Sequence, residues 1–347
     1  MAFKKYTLLL IGAVVLFIAT NYAIWKTVTE AILTEKYAGG DLARMGYLPG
    51  SKYPRTNSVD LPKRHLDLVD FKGQKIDILT IGDSFSHGGA GGHNAFYQDY
   101  IASFNNVTVL NLSPYKDFNT LTTVSLFLNN GYLDILKPRI ILIETSERLC
   151  FPDMAKPVDF DLFIPQEILD GCKKVDYYVT RPKVPFINSG NFQFLLNTIY
   201  YKLSDHAFSS EVFIGPLKQK MFTVRDAERL LHLKYKDFAS QEQLEILNDN
   251  LNKLSGRLKA KGIVLYFMPA VDKYNLYSDY LLNKKYISGS FFEDFRQLPK
   301  NYGFIDTKAI LSAELKKGAQ DIYYADDTHW GWKASESIFK TVKLSGF

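Results

Sequence analysis

Apolar residues in this chain fall into two recurring patterns. Short unbroken runs rich in β-branched residues occur at Ile76, Ile78, Leu79 and Ile81, and over 107–112, 138–144, 262–268 and 302–306. Between them lie stretches with helical spacing: 94–103, with Phe96, Tyr100 and Ile101 as apolar positions; 120–128; and a charged amphipathic segment over 240–261. Runs of this length without polar alternation read as strands buried on both faces. Strands alternating with helices predict an α/β fold. The expected architecture is a doubly wound (flavodoxin-like) parallel sheet of about five strands with helices on both faces.

The pattern fails in two places. Over 149–235 it is interrupted by Pro152, Pro157, Pro165, Pro182 and Pro185 and is dense in aromatic residues. That is too apolar for a disordered linker, and it predicts an inserted cap or substrate-facing region. At the other extreme, 6–24 is almost uninterruptedly apolar, with Lys4 and Lys5 before it and Lys26 after it. A run of that length can span a bilayer as a helix. The basic flank predicts a cytoplasmic N-terminus and an extracytoplasmic remainder. A cleaved signal peptide is the rival, disfavoured by the length of the run and the lack of a clear A-x-A site. The expected organisation is an anchor over 1–26, a stalk and irregular lead-in over 27–74, and a domain over 75–347 carrying the insertion.

Composition changes this picture little. Lys and Arg exceed Asp and Glu by 42 to 37, too small an excess to imply nucleic acid, and no basic tract or RNA-binding aromatic motif is present. The two cysteines, Cys150 and Cys172, could close one disulfide outside the cytoplasm or remain free thiols. They do not make a metal site.

The chemistry concentrates at two stretches. Gly82-Asp83-Ser84-Phe85 follows the first strand, which puts Ser84 at the carboxyl edge of the sheet, where open α/β sheets bind ligands. The next helix is expected to aim its N–H groups and positive dipole end at an oxyanion formed there. This is not the G-x-S-x-G elbow, because Ser86 stands where the second glycine belongs. Near the C-terminus, Asp326-Asp327-Thr328-His329 enters the last helix. A histidine so placed can take the proton of a serine hydroxyl while a neighbouring carboxylate fixes its tautomer. Either Asp326 or Asp327 could do so. His87, His93 and Asp83 as metal ligands are explained better as neighbours of a nucleophile in a glycine-rich loop. Residues 88–92 lack both the Walker lysine and the Rossmann spacing; Gly88 and its neighbours would instead give an acyl group room near Ser84. Arg148 and Lys273 sit just past strand ends, where they would contact an anionic or sugar substrate or be solvated surface charges.

Gly82-Asp83-Ser84-Phe85 resembles the first block of the SGNH/GDSL hydrolase superfamily, and Asp326-x-x-His329 resembles its last. Asp327-Thr328-His329-Trp330 looks like the motif of the membrane-anchored alginate O-acetyltransferase-like branch. Asp326-x-x-His329-x-Gly331-Trp332-Lys333 is similar to the D-alanyl transfer protein of teichoic acid synthesis. The stretches 143–148, 269–277 and 304–306 resemble the acetyltransferase branch as well. The superfamily's second-block glycine is not evident around Asn111, and the Gly-x-Asn of its third block is replaced by Glu144 to Arg148.

The resemblance implies Ser84 as nucleophile and His329 as general base. Gly88, Asn111, Arg148 and Lys273 are the candidates for oxyanion or substrate contacts. It also implies transfer of an acyl group, most readily acetyl, to a hydroxyl of a cell-envelope or exported glycan, without metal or organic cofactor. The setting would be the periplasmic side of the inner membrane, with a multipass membrane O-acyltransferase as partner. An esterase using the same triad, or an inactive glycan-binding or assembly subunit, are the alternatives.

Overall fold

The computed structural model describes residues 2–29, 40–44, 55, 59–116, 118–165, 167–173, 185–188, 190–203, 212–224, 228–233, 238–283 and 288–344. Its centre is a six-stranded, wholly parallel sheet in the order β1-β3-β2-β4-β7-β8. The strands are β1 (Leu66–Asp67), β2 (Ile78–Ile81), β3 (Val109–Leu112), β4 (Ile140–Ser146), β7 (Val264–Ala270) and β8 (Gly303–Phe304). Every residue of β2, β3 and β4 is buried, as their largely apolar runs predict for the interior of a parallel sheet.

The count differs from the expected five because Leu66 and Asp67 add a short edge strand to β3. Two residues carry no periodicity that a sequence pattern can register. His65, just before this strand, holds it to the helix Tyr97–Asn105 through Asp99, at 2.7 Å. β2 has β3 on one side and β4 on the other, so strand order reverses at β2. A crevice forms at such a point beyond the carboxyl ends of the strands.

The long helix Gln241–Lys259 begins with a capping box, in which Ser240 and Gln243 satisfy each other's backbone N–H. Its buried face, Leu244, Leu247, Leu251, Leu254 and Leu258, follows the expected helical period. The region read as an insertion contains the helix Gly190–Leu203 and a separate antiparallel hairpin, β5 (Val212–Pro216) with β6 (Arg229–Leu233). The hairpin packs near the carboxyl end of the main sheet: the rings of His232 and Tyr274 lie 4.6 Å apart, tilted at 38°. Just past β5, Thr223 bonds to Asp321, ahead of the histidine block.

At the N-terminus, Ala2–Ile24 is one α-helix that continues into a wider π-helical turn over Trp25–Thr29. The 25-residue stretch Phe3–Thr27 is long and apolar enough to cross a membrane. Its Leu8, Leu9, Leu16 and Phe17 side chains are exposed.

Cys150 and Cys172 are both buried and free. Each thiol instead donates to the carbonyl four residues earlier, Ser146 and Ile168 respectively. Burial pushes the Cys172 thiol up to about 12 and raises Cys150 as well, so neither is a reactive thiolate. Reducing agent is therefore expected to leave the melting temperature unchanged. Two thiols should titrate per chain after denaturation without reductant; finding none would indicate a bridge.

Candidate active site

β2 ends at Ile81, and the chain then folds through tight turns over 83–91. Ser86 N–H donates to Asp83 O at 3.0 Å, and Gly89 N–H donates to Ser84 O at 2.9 Å. The next helix starts only at Tyr97. The expectation that a helix N-terminus points at Ser84 is thus corrected: the glycine-rich stretch is too permissive to nucleate helix immediately after the serine. Asp83 braces the turn, accepting from Phe85 N–H at 3.0 Å and from Ser146 N–H at 2.8 Å, the latter at the end of β4. Gly82 cannot carry a Cβ, which would collide with Ser86 Oγ and the Glu144 carboxyl. Glu144 accepts from both the backbone N–H and the hydroxyl of Ser86, at 3.1 and 2.7 Å. Burial, followed by the adjacent Asp83, pushes its carboxyl well above the ordinary range, and its two bonds to Ser86 hold the turn from beneath.

The histidine block forms a loop closed at its neck, where Tyr323 bridges Trp330 and Gly331 N–H donates to Ile322 O at 2.7 Å. Within it, Asp327 Oδ1 accepts from His329 N–H at 2.9 Å and lies 2.7 Å from His329 Nδ1. His329 Nε2 lies 2.7 Å from Ser84 Oγ, across 245 residues of sequence. An Nδ1–H donated to the carboxylate leaves Nε2 as the acceptor facing the serine hydroxyl. The imidazole is held between the ring of Phe85, at 4.8 Å, and a backbone that leaves no room for a Cβ at Gly89. Ser84 is half-buried, while His329 and both aspartates are buried.

Asp326 faces away from the histidine. Its carboxylate accepts from Arg55 at 2.8 Å and from Gly40 N–H at 2.8 Å. Arg55 also reaches within 3.5 Å of Asp327 and lies over the Tyr324 ring at 4.1 Å. A Cβ on Gly40 would strike the Asp326 carbonyl, so only glycine allows this approach. Asp41 binds Thr328 through its N–H at 2.8 Å and through its hydroxyl, and lies 3.7 Å from His329 Nδ1. The contacts of these three lead-in residues with the histidine loop have no local signature beyond an irregular, glycine-containing stretch. The Gly39-Gly40 pair preceding Asp41 was the available hint, but an isolated arginine such as Arg55 carries none.

Burial works against a charged His329, yet Asp327 beside it, with Asp41, more than offsets this and holds the imidazole above its ordinary 6.5. Burial likewise works against the Asp327 carboxylate, but His329 and then Arg55 bring it down to about 2. A general base must be neutral to accept a proton, so the acid limb of kcat/KM is expected above pH 6.5. Asp41→Asn removes a negative charge near the imidazole and should move that limb toward lower pH. A limb that stays in place would show that Asp41 has no electrostatic hold on His329.

Asp41, Asp327 and His329 each offer one ligand atom, all within 4.8 Å of one another. Asp41 accepts from Thr328 through both its oxygens, and Asp327 Oδ1 accepts from His329 N–H and faces its Nδ1.

The remaining candidates are placed differently from what their positions in the sequence suggest. Gly88, at φ +67, faces Ala95 and Phe96; its neighbour Gly89 makes the close approach to Ser84 and His329. Asn111 bonds Ser86 O at 2.8 Å and accepts from Thr80 at 2.9 Å, so it supports the turn from beneath. Ser113 N–H, near the place of the second-block glycine, donates to Cys172 O at 3.0 Å. Lys273 is buried and donates to the carbonyls of Tyr324, Ala325 and Asp327 at 2.8, 3.0 and 2.9 Å. It therefore braces the histidine loop. Burial brings its ammonium down to about 8. Arg148 pairs with Asp272 at 2.5 Å and is a third exposed at its side chain, close enough for its charge to be felt at His329. His87 Nε2 lies 3.2 Å from Ser113 Oγ.

The chain matches no protein-family model and no curated protein significantly.

Proposed function

We propose that this chain is a membrane-anchored acyl-transfer enzyme of SGNH/GDSL-like type, with Ser84 as nucleophile, His329 as acid–base and Asp327 as its orienting carboxylate. The observation that carries the reading is the unbroken Ser84–His329–Asp327 hydrogen-bond chain, 2.7 Å at each link. It lies beyond the carboxyl ends of strands at the point where their order reverses. That strand order also supports the doubly wound, flavodoxin-like reading of the sheet.

In the proposed cycle, Ser84 Oγ attacks the carbonyl carbon of an acyl donor and its proton passes to His329 Nε2. The tetrahedral intermediate expels the donor's leaving group, which takes that proton. A glycan hydroxyl then gives its proton to His329 and attacks the acyl-serine, and Ser84 leaves reprotonated. Ser84 N–H, which has no acceptor among the described residues, is one donor available to the oxyanion. The Arg148 guanidinium is the adjacent cation. The acyl group is most readily acetyl, the acceptor a cell-envelope or exported polysaccharide, and the location the periplasmic face of the inner membrane. A multipass O-acyltransferase would deliver acyl groups from the cytoplasmic side. The apolar N-terminal helix supports the anchored location. Contacts of Asn21 with Phe186 and Asn191, at 2.6 and 3.0 Å, favour a retained helix over a cleaved one.

The test is incubation of the full-length protein in detergent with p-nitrophenyl acetate, with and without candidate oligosaccharides. Both nitrophenol release and sugar mass are followed. A gain of one acetyl on the sugar that is lost in Ser84→Ala and His329→Ala supports transfer. Serine-dependent release indifferent to every sugar favours an esterase. Absence of Ser84-dependent turnover with any donor would favour a binding or assembly subunit.

A further inference from the structure

The helix Gly190–Leu203 is amphipathic in the inverse of the sense expected in water. Its buried positions include Asn191, Asn197 and Tyr201, whereas Phe192, Leu196, Ile199, Tyr200 and Leu203 are exposed, with Gln193 at the edge of their stripe. These exposed residues follow one another at spacings of four, three, one and three, which puts them on one helical stripe. The helix contains no acid and a single base, Lys202, at its end. A helix turning polar side chains inward and a continuous apolar stripe outward is matched to a hydrocarbon solvent.

The apolar stripe is continuous with the N-terminal helix. Phe192 stacks on Phe17 at 5.7 Å, and the preceding Phe186 packs on Tyr22 and Trp25 at 6.3 and 6.5 Å. The polar residues at this junction satisfy one another. Asn191 donates to Asn21 Oδ1 and to Phe186 O, Asn21 donates to Phe186 O, and Asn188 donates to Asn191. Such pairing of amides between helices is what an apolar medium demands.

The depth follows from helix geometry. If the basic flanks Lys5 and Lys26 sit at the two interfaces, Phe17 lies about 13 Å below the outer one at ~1.5 Å per residue. Trp25 lies at that interface, the level favoured by aromatic belts.

We infer that Phe186 and the helix Gly190–Leu203 dip into the outer leaflet beside the N-terminal helix, with Phe192, Leu196, Ile199 and Leu203 against lipid acyl chains. The catalytic domain then has two attachments to the bilayer and is held at a fixed orientation to its surface. From Lys202, at the end of the segment, the ammonium can reach the headgroups. The neighbouring Tyr201 carbonyl accepts from Arg229 of β6 at 2.7 Å, which ties the segment to the hairpin flanking the histidine loop. This inference rests on the anchored reading of the N-terminal helix.

The test is spin labelling of the full-length protein in lipid nanodiscs at Leu196→Cys and Ile199→Cys, with Val15→Cys in the N-terminal helix and Ile135→Cys on the domain surface as references. The native thiols are buried. Collision rates are read with oxygen, which partitions into lipid, and with a water-soluble nickel chelate. The inference expects positions 196 and 199 to share the oxygen preference of position 15, opposite to position 135. Nickel preference at 196 and 199 while 15 keeps its oxygen preference would overturn the inference and leave the anchor intact. Shielding from both reagents would overturn it in favour of a protein contact, with a second copy of the chain. Nickel preference at position 15 would show that the anchor reading itself had failed.

Discussion

Ser84→Ala is expected to lower kcat for acyl transfer by about a million-fold, the scale seen when a triad nucleophile is removed from a hydrolytic enzyme. The fold should be indifferent to the change. Ser84 is half-buried, and among the described residues its side chain bonds only to His329, so the melting temperature is expected to stay within a degree or two of the wild type, as for other substitutions outside tightly packed sites. His329→Ala should match it in activity, because the two groups act as one unit and their losses do not add.

The aspartates then separate. Asp327→Asn would offer Nδ1 an amide and favour the wrong tautomer, with a loss of about 10⁴-fold. Asp326→Asn, which touches Arg55 and Gly40 but not the imidazole, should mainly cost stability. Equal kinetic losses in the two variants would show that the histidine draws on both carboxylates. The readout is pre-steady-state nitrophenol release together with intact-protein mass, since an acyl-serine adds one acetyl to the wild type and none to Ser84→Ala.

Arg55→Ala is expected to destabilise the protein by about 3–5 kcal/mol, the range for removing one partner of a buried ion pair. Arg55 is 6% exposed and Asp326 and Asp327 are both fully buried, so its loss leaves two adjacent carboxylates with no cation between them. Electrostatics and packing can be told apart. Arg55→Lys restores charge but not the fork that reaches both aspartates and the Ala90 carbonyl, so it should recover only part of the stability. Asp326→Leu in the Arg55→Met background removes one of the two buried charges and should recover more than Arg55→Met alone. Thermal melts of the four variants check this. If Arg55→Ala melts with the wild type, the lead-in does not dock on the histidine loop as described.

The same arginine explains where sequence reading stopped. The strands were legible because a parallel sheet buried on both faces selects continuous β-branched runs, and 140–146 and 264–270 fell within two residues of their expected bounds. Ser84 and His329 were legible because each lies in a local strand-to-loop or loop-to-helix setting with a characteristic neighbour. Local setting does not report who pairs with a side chain from afar. Lys273, read as a substrate contact or a solvated charge, turns instead to the histidine loop's own carbonyls. A cation at a buried strand end must find acceptors, and the nearest ones were protein.

The sequence alone therefore determined the chain's alternation of strand and helix, its apolar N-terminal stretch and the two segments whose Ser84 and His329 meet in the fold. Each of these is written in local spacing and residue type. Tertiary structure decided which aspartate meets His329, and that the lead-in supplies Gly40, Asp41 and Arg55 to the loop. It also decided that Cys150 and Cys172 stay apart, and that the helix over 190–203 turns its apolar face outward. All of these depend on which surfaces meet after the chain has folded, across separations of up to 287 residues. A contact of that kind is fixed by the summed packing of the elements between, which leaves no periodic trace at either end.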